Sequence, residues 1–269
     1  MCSVLKCSRS GYYDWIDLGR PEHKNFNPGL ATLVGRIHKE RPIYGVARIL
    51  IVLKRKYGLV ISNKTVYRYM KILRIRSVIR VRRKYGSVKV HFTPNLIRRD
   101  FTTTGPNQKW SVDVTYLPSK DGVEYLCAIK DMFDKTIVAH NISNKNDIDL
   151  VLKAVNQALI GIPLHNRPGL IIHSDQGSQF LSNDYAKTLE EFSVKRSLSY
   201  KGTCVDNSPI ESFFSSFKSE CLRLERNRTR LITRELVKSY IDFYHNERFQ
   251  KGLNEMTPVE YRRHHYCFI

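Results

Sequence analysis

The sequence predicts an α/β domain preceded by a small all-helical domain, and three observations carry that prediction. Beyond residue 106, alternating or continuously apolar segments interleave with amphipathic ones in the order βββαβαβα, as expected of helices packed on a sheet. Before residue 84, apolar residues recur at helical spacing. The charge divides in the same region. Residues 1–100 hold 23 Lys and Arg against five Asp and Glu, residues 101–269 hold 22 against 20, and so nearly all of the net +20 lies in the first third. The chain is therefore read as an N-terminal segment 1–25, a helical domain 26–84, a basic linker 85–105 and an α/β core 106–265.

Composition removes several classes. A chain of 269 residues with 42% apolar content is long enough for two domains and a sizeable core. Its longest aliphatic run, Ile49 to Leu53, falls far short of the roughly 18 residues a membrane span needs, and no signal peptide is recognisable. The cysteines at 2, 7, 127, 204, 221 and 267 form no Cys-x-x-Cys and stand beside no zinc-spaced histidines. Neither a zinc site nor a disulfide framework is expected, and a cytoplasmic location is.

In the helical domain, Leu30, Leu33, Val34 and Ile37 line one face until Arg41-Pro42 interrupts the pattern. A second helix, from Gly45 to Lys56, turns Ile49, Leu50 and Leu53 inward and Arg48, Lys54, Arg55 and Lys56 outward. Ser62 is the expected N-cap of a third, with Val66, Tyr69, Met70 and Leu73 on one face and Lys64, Arg68 and Lys71 on the other. This arrangement resembles a helix-turn-helix module, whose last helix enters the major groove. It would set Arg48, Lys64, Thr65, Tyr67 and Arg68 against DNA, although a small bundle with a basic exterior has the same spacing. From Lys71 to Lys89 come eight basic residues and no acid, among them Arg80, Arg82, Arg83 and Lys84. They read as an arm that tracks phosphates or as a disordered basic tether. So localised a basic excess points to a polyanionic partner, because neutralised phosphates release condensed counterions.

In the core, Trp110, Val112, Val114 and Tyr116 alternate with Ser111, Asp113, Thr115 and Leu117, which predicts a strand with Asp113 on the face opposite the tryptophan. Strands at Tyr125–Phe133 and Thr136–Ile142 follow, then a helix from Asp147 to Ile160. The run Gly169 to Asp175 is continuously apolar before it ends in polar residues, as in a buried parallel strand whose C-terminal end carries function. A helix at 182–191, a strand at 194–198 and helices at 209–224 and 233–245 complete the pattern.

Three acids stand out by placement: Asp113 in mid-strand, Asp175 at a strand end, and Glu211 early in a helix. A carboxylate within a sheet requires a cation, a metal or hydrogen-bond donors. Glu211 has a competing explanation, because Ser208-Pro209-Ile210-Glu211 has the form of a capping box that would tie the carboxylate to the helix start. The helical wheel argues against that, since Glu211, Ser215 and Lys218 form a polar stripe apart from Ile210, Phe213, Phe214 and Phe217.

The contexts Trp-Ser-Val-Asp113, His-Ser-Asp175-Gln-Gly and Asp-Asn-Ser-Pro-Ile-Glu211, with 35 residues between the last two acids and Lys218 seven beyond Glu211, resemble the DDE triad of transposases and retroviral-type integrases. The nearest resemblance is to the second-frame product of the bacterial insertion-sequence group numbered three. Cys7 to Trp15, Tyr44-Gly45 with Arg48, Tyr244-His245-Asn246 with Arg248, and Thr257-Pro258 extend the likeness over nearly the whole chain.

That resemblance implies an RNase H-like catalytic core and a transposase that cleaves and transfers DNA strands. Asp113, Asp175 and Glu211 would hold two Mg²⁺ or Mn²⁺ ions, hard cations that favour oxygen ligands and are spaced to serve the attacking and leaving oxygens. Lys218 would meet DNA near the reacting phosphate. The implied partners are duplex DNA at element ends and target, further copies of the chain, and an upstream first-frame product, with no membrane. As read from its second-frame start, without a heptad run, the chain is expected to bind ends less specifically than a frameshift fusion. A non-catalytic DNA-binding protein, or a decayed fragment that binds ends without cutting, is the alternative.

Overall fold

The computed structural model describes residues 8–17, 26–78, 94–163, 167–199 and 204–266. The chain divides into two compact units, residues 1–78 and 79–269. The predicted contacts at Arg80, Arg82, Arg83 and Lys84 lie outside the described residues.

Among the described residues, the regular elements of the first unit are all helices. Helix α1 (Arg9–Asp17) lies in the N-terminal segment, for which the sequence predicts no helix, and the Ser8 side chain accepts from Gly11 N–H at its start. Helices α2 (Pro28–Glu40), α3 (Val46–Tyr57) and α4 (Asn63–Ile72) follow the expected order. Each is bounded by a local signal: the Asn27 side chain accepts from Leu30 N–H, Gly58 ends α3 in the left-handed region at φ 67°, and the Ser62 side chain accepts from Thr65 N–H. Val34, Ile37, Ile49, Leu53, Val66 and Tyr69 are buried, so the three helices enclose one small core.

The second unit is a five-stranded sheet in the order β3-β2-β1-β4-β5. Strands β1 (Lys109–Ser119), β2 (Gly122–Asp131) and β3 (Ile137–Ser143) form an antiparallel meander, while β4 (Ile171–Ser174) and β5 (Lys195–Leu198) add in parallel beside β1. Helices α5 (Ile148–Ile160) and α6 (Asn183–Glu191) follow β3 and β4, and their apolar residues join Trp110, Val112 and Ile172 in the main core. On α7 (Ser208–Phe217) and α8 (Arg230–Asn246), Phe213 and Phe217 pack against Tyr240 and Tyr244 in an aromatic cluster. Helix α9 (Pro258–Tyr266), absent from the sequence reading, is anchored by Arg262, which hydrogen-bonds Asp131 and Asp134.

The alternation read in β1 is only partly realised. Ser111 and Leu117 are buried as fully as Trp110 and Val112 and Thr115 is buried too, whereas Tyr116 is 63% exposed. A central strand is covered on both faces, so apolar-polar alternation does not map onto inside and outside. The helix expected at 209–224 also changes character. It is α-helical to Phe217 and then widens into a π-turn over Lys218–Leu222.

Candidate active site

Parallel pairing brings the first two acids together. The last paired rung between β1 and β4 joins Ser111 to His173, and two residues further along each strand the chain reaches Asp113 and Asp175. The end of β4 is fixed by His173, a fully buried ring whose Nδ1 lies 2.8 Å from Ser197 Oγ and whose Nε2 lies 3.0 Å from Ser199 Oγ. Burial pushes its pKa down to about 4, so it is neutral and structural at pH 7. Asp175 itself is exposed, and its Oδ1 accepts from Gly177 N–H at 2.8 Å in a tight turn. A Cβ at Gly177 would sit 3.0 Å from that oxygen, which accounts for glycine beside the carboxylate.

Glu211 arrives from the first turn of α7. The competing capping box does not form: Asn207 occupies the cap position, Ser208 is already helical, and no side chain caps the helix. Instead the Asn207 side-chain amide donates to the Val112 carbonyl at 3.1 Å, fastening the start of α7 to the residue before Asp113. Glu211 is left exposed on the polar stripe, as the helical wheel predicts.

The three acids sense one another's charge. Burial, then the charge of Asp175, and further the charge of Glu211, push the Asp113 carboxyl up to about 7, against the opposing effects of Val114 N–H and Lys218. Glu211 is raised by burial and by Asp175. Among the described residues, no three His, Cys, Asp or Glu side chains are gathered into a ready-made metal cage. The fit to a hard divalent cation is one of charge and donor type: carboxylate oxygens from three elements, whose shared negative charge a cation would neutralise.

Lys218 sits at the start of the π-turn, half-buried, with Nζ 4.6 Å from the centroid of the Tyr116 ring. Burial and then Arg223 lower its pKa, against the opposing charge of Asp113. The turn behind it is held by Glu220, buried and gripped in a fork by Arg248 with both N···O distances 2.8 Å, and also accepting from Tyr240 Oη at 2.9 Å. Arg248 was visible in the sequence only as a matching position, and here it braces the helix that carries Glu211 and Lys218. Lys130 gave no signal in the sequence. It is buried in β2 and donates to the Pro209 carbonyl at 2.8 Å.

In the first unit, Lys64, Tyr67 and Arg68 are exposed on α4. Thr65 is half-buried and its Oγ1 lies 2.9 Å from Ser62 Oγ within the helix cap. Arg48, on α3, is half-buried with its guanidinium over the Tyr44 ring.

Comparison with known proteins gives a consistent picture. Models described as "Integrase core domain" match residues 103–204 and 211–266, and an "HTH-like domain" model matches residues 29–91. The chain is 34% identical over 231 residues to the putative transposase InsK of insertion sequence IS150 from Escherichia coli, covering 85% of this chain and 81% of that protein. It is 32% identical over 278 residues to transposase InsF of IS3A from the same organism, covering 99% and 89% respectively. A simian T-cell lymphotropic virus intasome structure, in complex with a PP2A regulatory subunit, aligns with 87% of this chain and 74% of that chain at a TM-score of 0.51 and 12% identity. That likeness concerns the fold alone, which is RNase H-like in the core. With relatives matched along most of its length, the chain belongs to the IS3-group transposases, proteins of DNA transposition that join a helix-turn-helix-like domain to an integrase core.

Proposed function

We propose that this transposase is a DDE-type polynucleotidyl transferase in which Asp113, Asp175 and Glu211 hold two Mg²⁺ or Mn²⁺ ions and carry out cleavage and joining of DNA strands. The observation that supports the reading is that carboxylates from β1, the end of β4 and α7 lie near enough for Asp175 and Glu211 to add to burial in raising Asp113 to about 7. Divalent cations bound there supply charge neutralisation at the reacting phosphodiester and polarise the attacking and leaving oxygens. Asp113, most buried of the three, would serve both ions, with Asp175 and Glu211 each completing one side. Asn207 ties the start of the Glu211 helix to β1 and Arg248 braces its far end through Ser216 and Glu220, so the carboxylates stay aligned as DNA enters. Lys218 offers its ammonium to a phosphate oxygen beside the acids.

In this reading a water first hydrolyses the phosphodiester at an element end and releases a 3′-hydroxyl. That hydroxyl then attacks a phosphodiester of the target, forming one P–O bond as the target's 3′-oxygen leaves as a free hydroxyl, with no covalent protein intermediate. Lys64, Thr65, Tyr67 and Arg68 of α4, Arg48 of α3, and Arg80, Arg82, Arg83 and Lys84 supply the DNA grip, and several copies of the chain assemble on the DNA. The test is incubation of the full chain with a labelled element-end duplex. Nicking and joining are expected with Mg²⁺ or Mn²⁺ and not with chelator; product formed equally well in chelator contradicts the proposal.

A further inference from the structure

Behind the catalytic helix the second unit holds a cavity of about 390 Å³ that the triad does not use. Two ammonium groups line it. Lys130 is only 5% exposed, and the one hydrogen bond of its ammonium among the described residues is to the Pro209 carbonyl. Lys135, half-buried, makes no hydrogen bond or ion pair among the described residues, and its Nζ lies where a Cβ on Gly252 would be only 2.6 Å away. The third cation on the wall, Arg248, is already committed to Glu220. No carboxylate answers either lysine among the described residues. Burying cations without a counter-charge is unfavourable. The consequence is visible in Lys130, which burial and then Arg248 bring down to about 7.

The rest of the wall narrows the class of anion. Ser208 and Ser212, one turn apart on α7, place hydroxyl groups on the cavity. They lie about 60° and 100° around the helix from Glu211, to one side of it. Phe101 and Tyr244 contribute aromatic surface. Ammonium groups, hydroxyl donors and aromatic faces together suit a phosphate that carries an apolar planar group, and the volume exceeds what phosphate alone would fill.

We propose that this cavity binds the phosphate of a nucleotide, held by Lys130, Lys135 and the α7 hydroxyls. The nucleotide belongs either to a DNA strand or to a free mononucleotide. The site does not depend on the triad reading, and its test is run so that the carboxylates cannot contribute.

The full chain in chelator is titrated with inorganic phosphate, thymidine 5′-monophosphate and a short single-stranded oligonucleotide, with binding followed by calorimetry. Thymidine 5′-monophosphate is expected to bind more tightly than inorganic phosphate. Lys135→Gln is expected to weaken it by about tenfold or more, the scale of one charge-assisted hydrogen bond. Lys135→Glu should abolish binding, and Asp175→Asn should leave it unchanged. Lys135 is the chosen position because its partial exposure spares the fold, which far-ultraviolet circular dichroism would check. An equal loss of oligonucleotide affinity in Lys135→Gln assigns the nucleotide to a DNA strand. Loss of mononucleotide binding alone assigns it to a free nucleotide. The proposal is overturned if the mononucleotide fails to bind the wild type, or binds Lys135→Gln as tightly.

Discussion

The Asn207 side-chain amide donates to the backbone carbonyl of Val112 at 3.1 Å, and both residues are buried. The contact spans 95 residues of sequence and links the helix that carries Glu211 to the strand that carries Asp113. Asn207→Ala leaves that carbonyl without its donor, with a stability loss of about 1–3 kcal/mol by denaturant titration. Strand joining should fall by more than DNA binding does, because the damage is to alignment. A variant that loses stability and yet joins at the wild-type rate would show that the bond is merely structural.

Stability should depend on pH through Asp113. Its folded pKa, about 7, is above its ordinary value of 3.8, so the native chain holds this proton where the unfolded chain has released it. The associated stability is fully present below about pH 4 and is lost as pH rises through 7. In chelator, Asp113→Asn should therefore gain on wild type between pH 4 and pH 8, by on the order of 1–4 kcal/mol. Glu211, also raised, acts in the same direction. Parallel melting curves for the two proteins over that range would refute the coupling.

Much of this site was legible in the sequence, and the failures have one physical cause. Trp110, Val112 and Val114 mark a strand and the apolar run ending at Asp175 marks a parallel neighbour, because both patterns are local. The Ser208 to Glu211 pattern is local too and misleads, since Asn207 takes the cap position and spends its side chain on a distant strand. The π-turn at Lys218–Leu222 is likewise tied to Arg248, through its bond to Glu220. Lys130 escaped notice because a lysine in a strand reads as solvent-facing until α7 covers it.

The pair Glu220 and Arg248 offers a second stability test. Both are buried, so Arg248→Met strands a carboxylate, with a loss of about 3–5 kcal/mol. Adding Glu220→Gln should recover a large part of it, as chemical denaturation of the two variants would show. No recovery would mean that Arg248 acts mainly by packing on Tyr244, over whose ring it lies.

On α4, Lys64→Ala and Arg68→Ala should each weaken DNA binding across sequences and reduce the slope of log affinity against log salt by about 1. Tyr67→Ala should change the preference for the end sequence more than the salt slope. Gel-shift titrations at several salt concentrations would separate these effects, and unchanged slopes would move the DNA grip elsewhere.

Catalysis as proposed depends on three side chains acting as one site. Its most direct test is end nicking and strand joining, with Mg²⁺, by Asp113→Asn, Asp175→Asn and Glu211→Gln, each checked for DNA binding on the same duplex. Each variant is expected to bind as the wild type does and to form no product. Any one of the three that still cuts and joins at the wild-type rate would contradict the assignment.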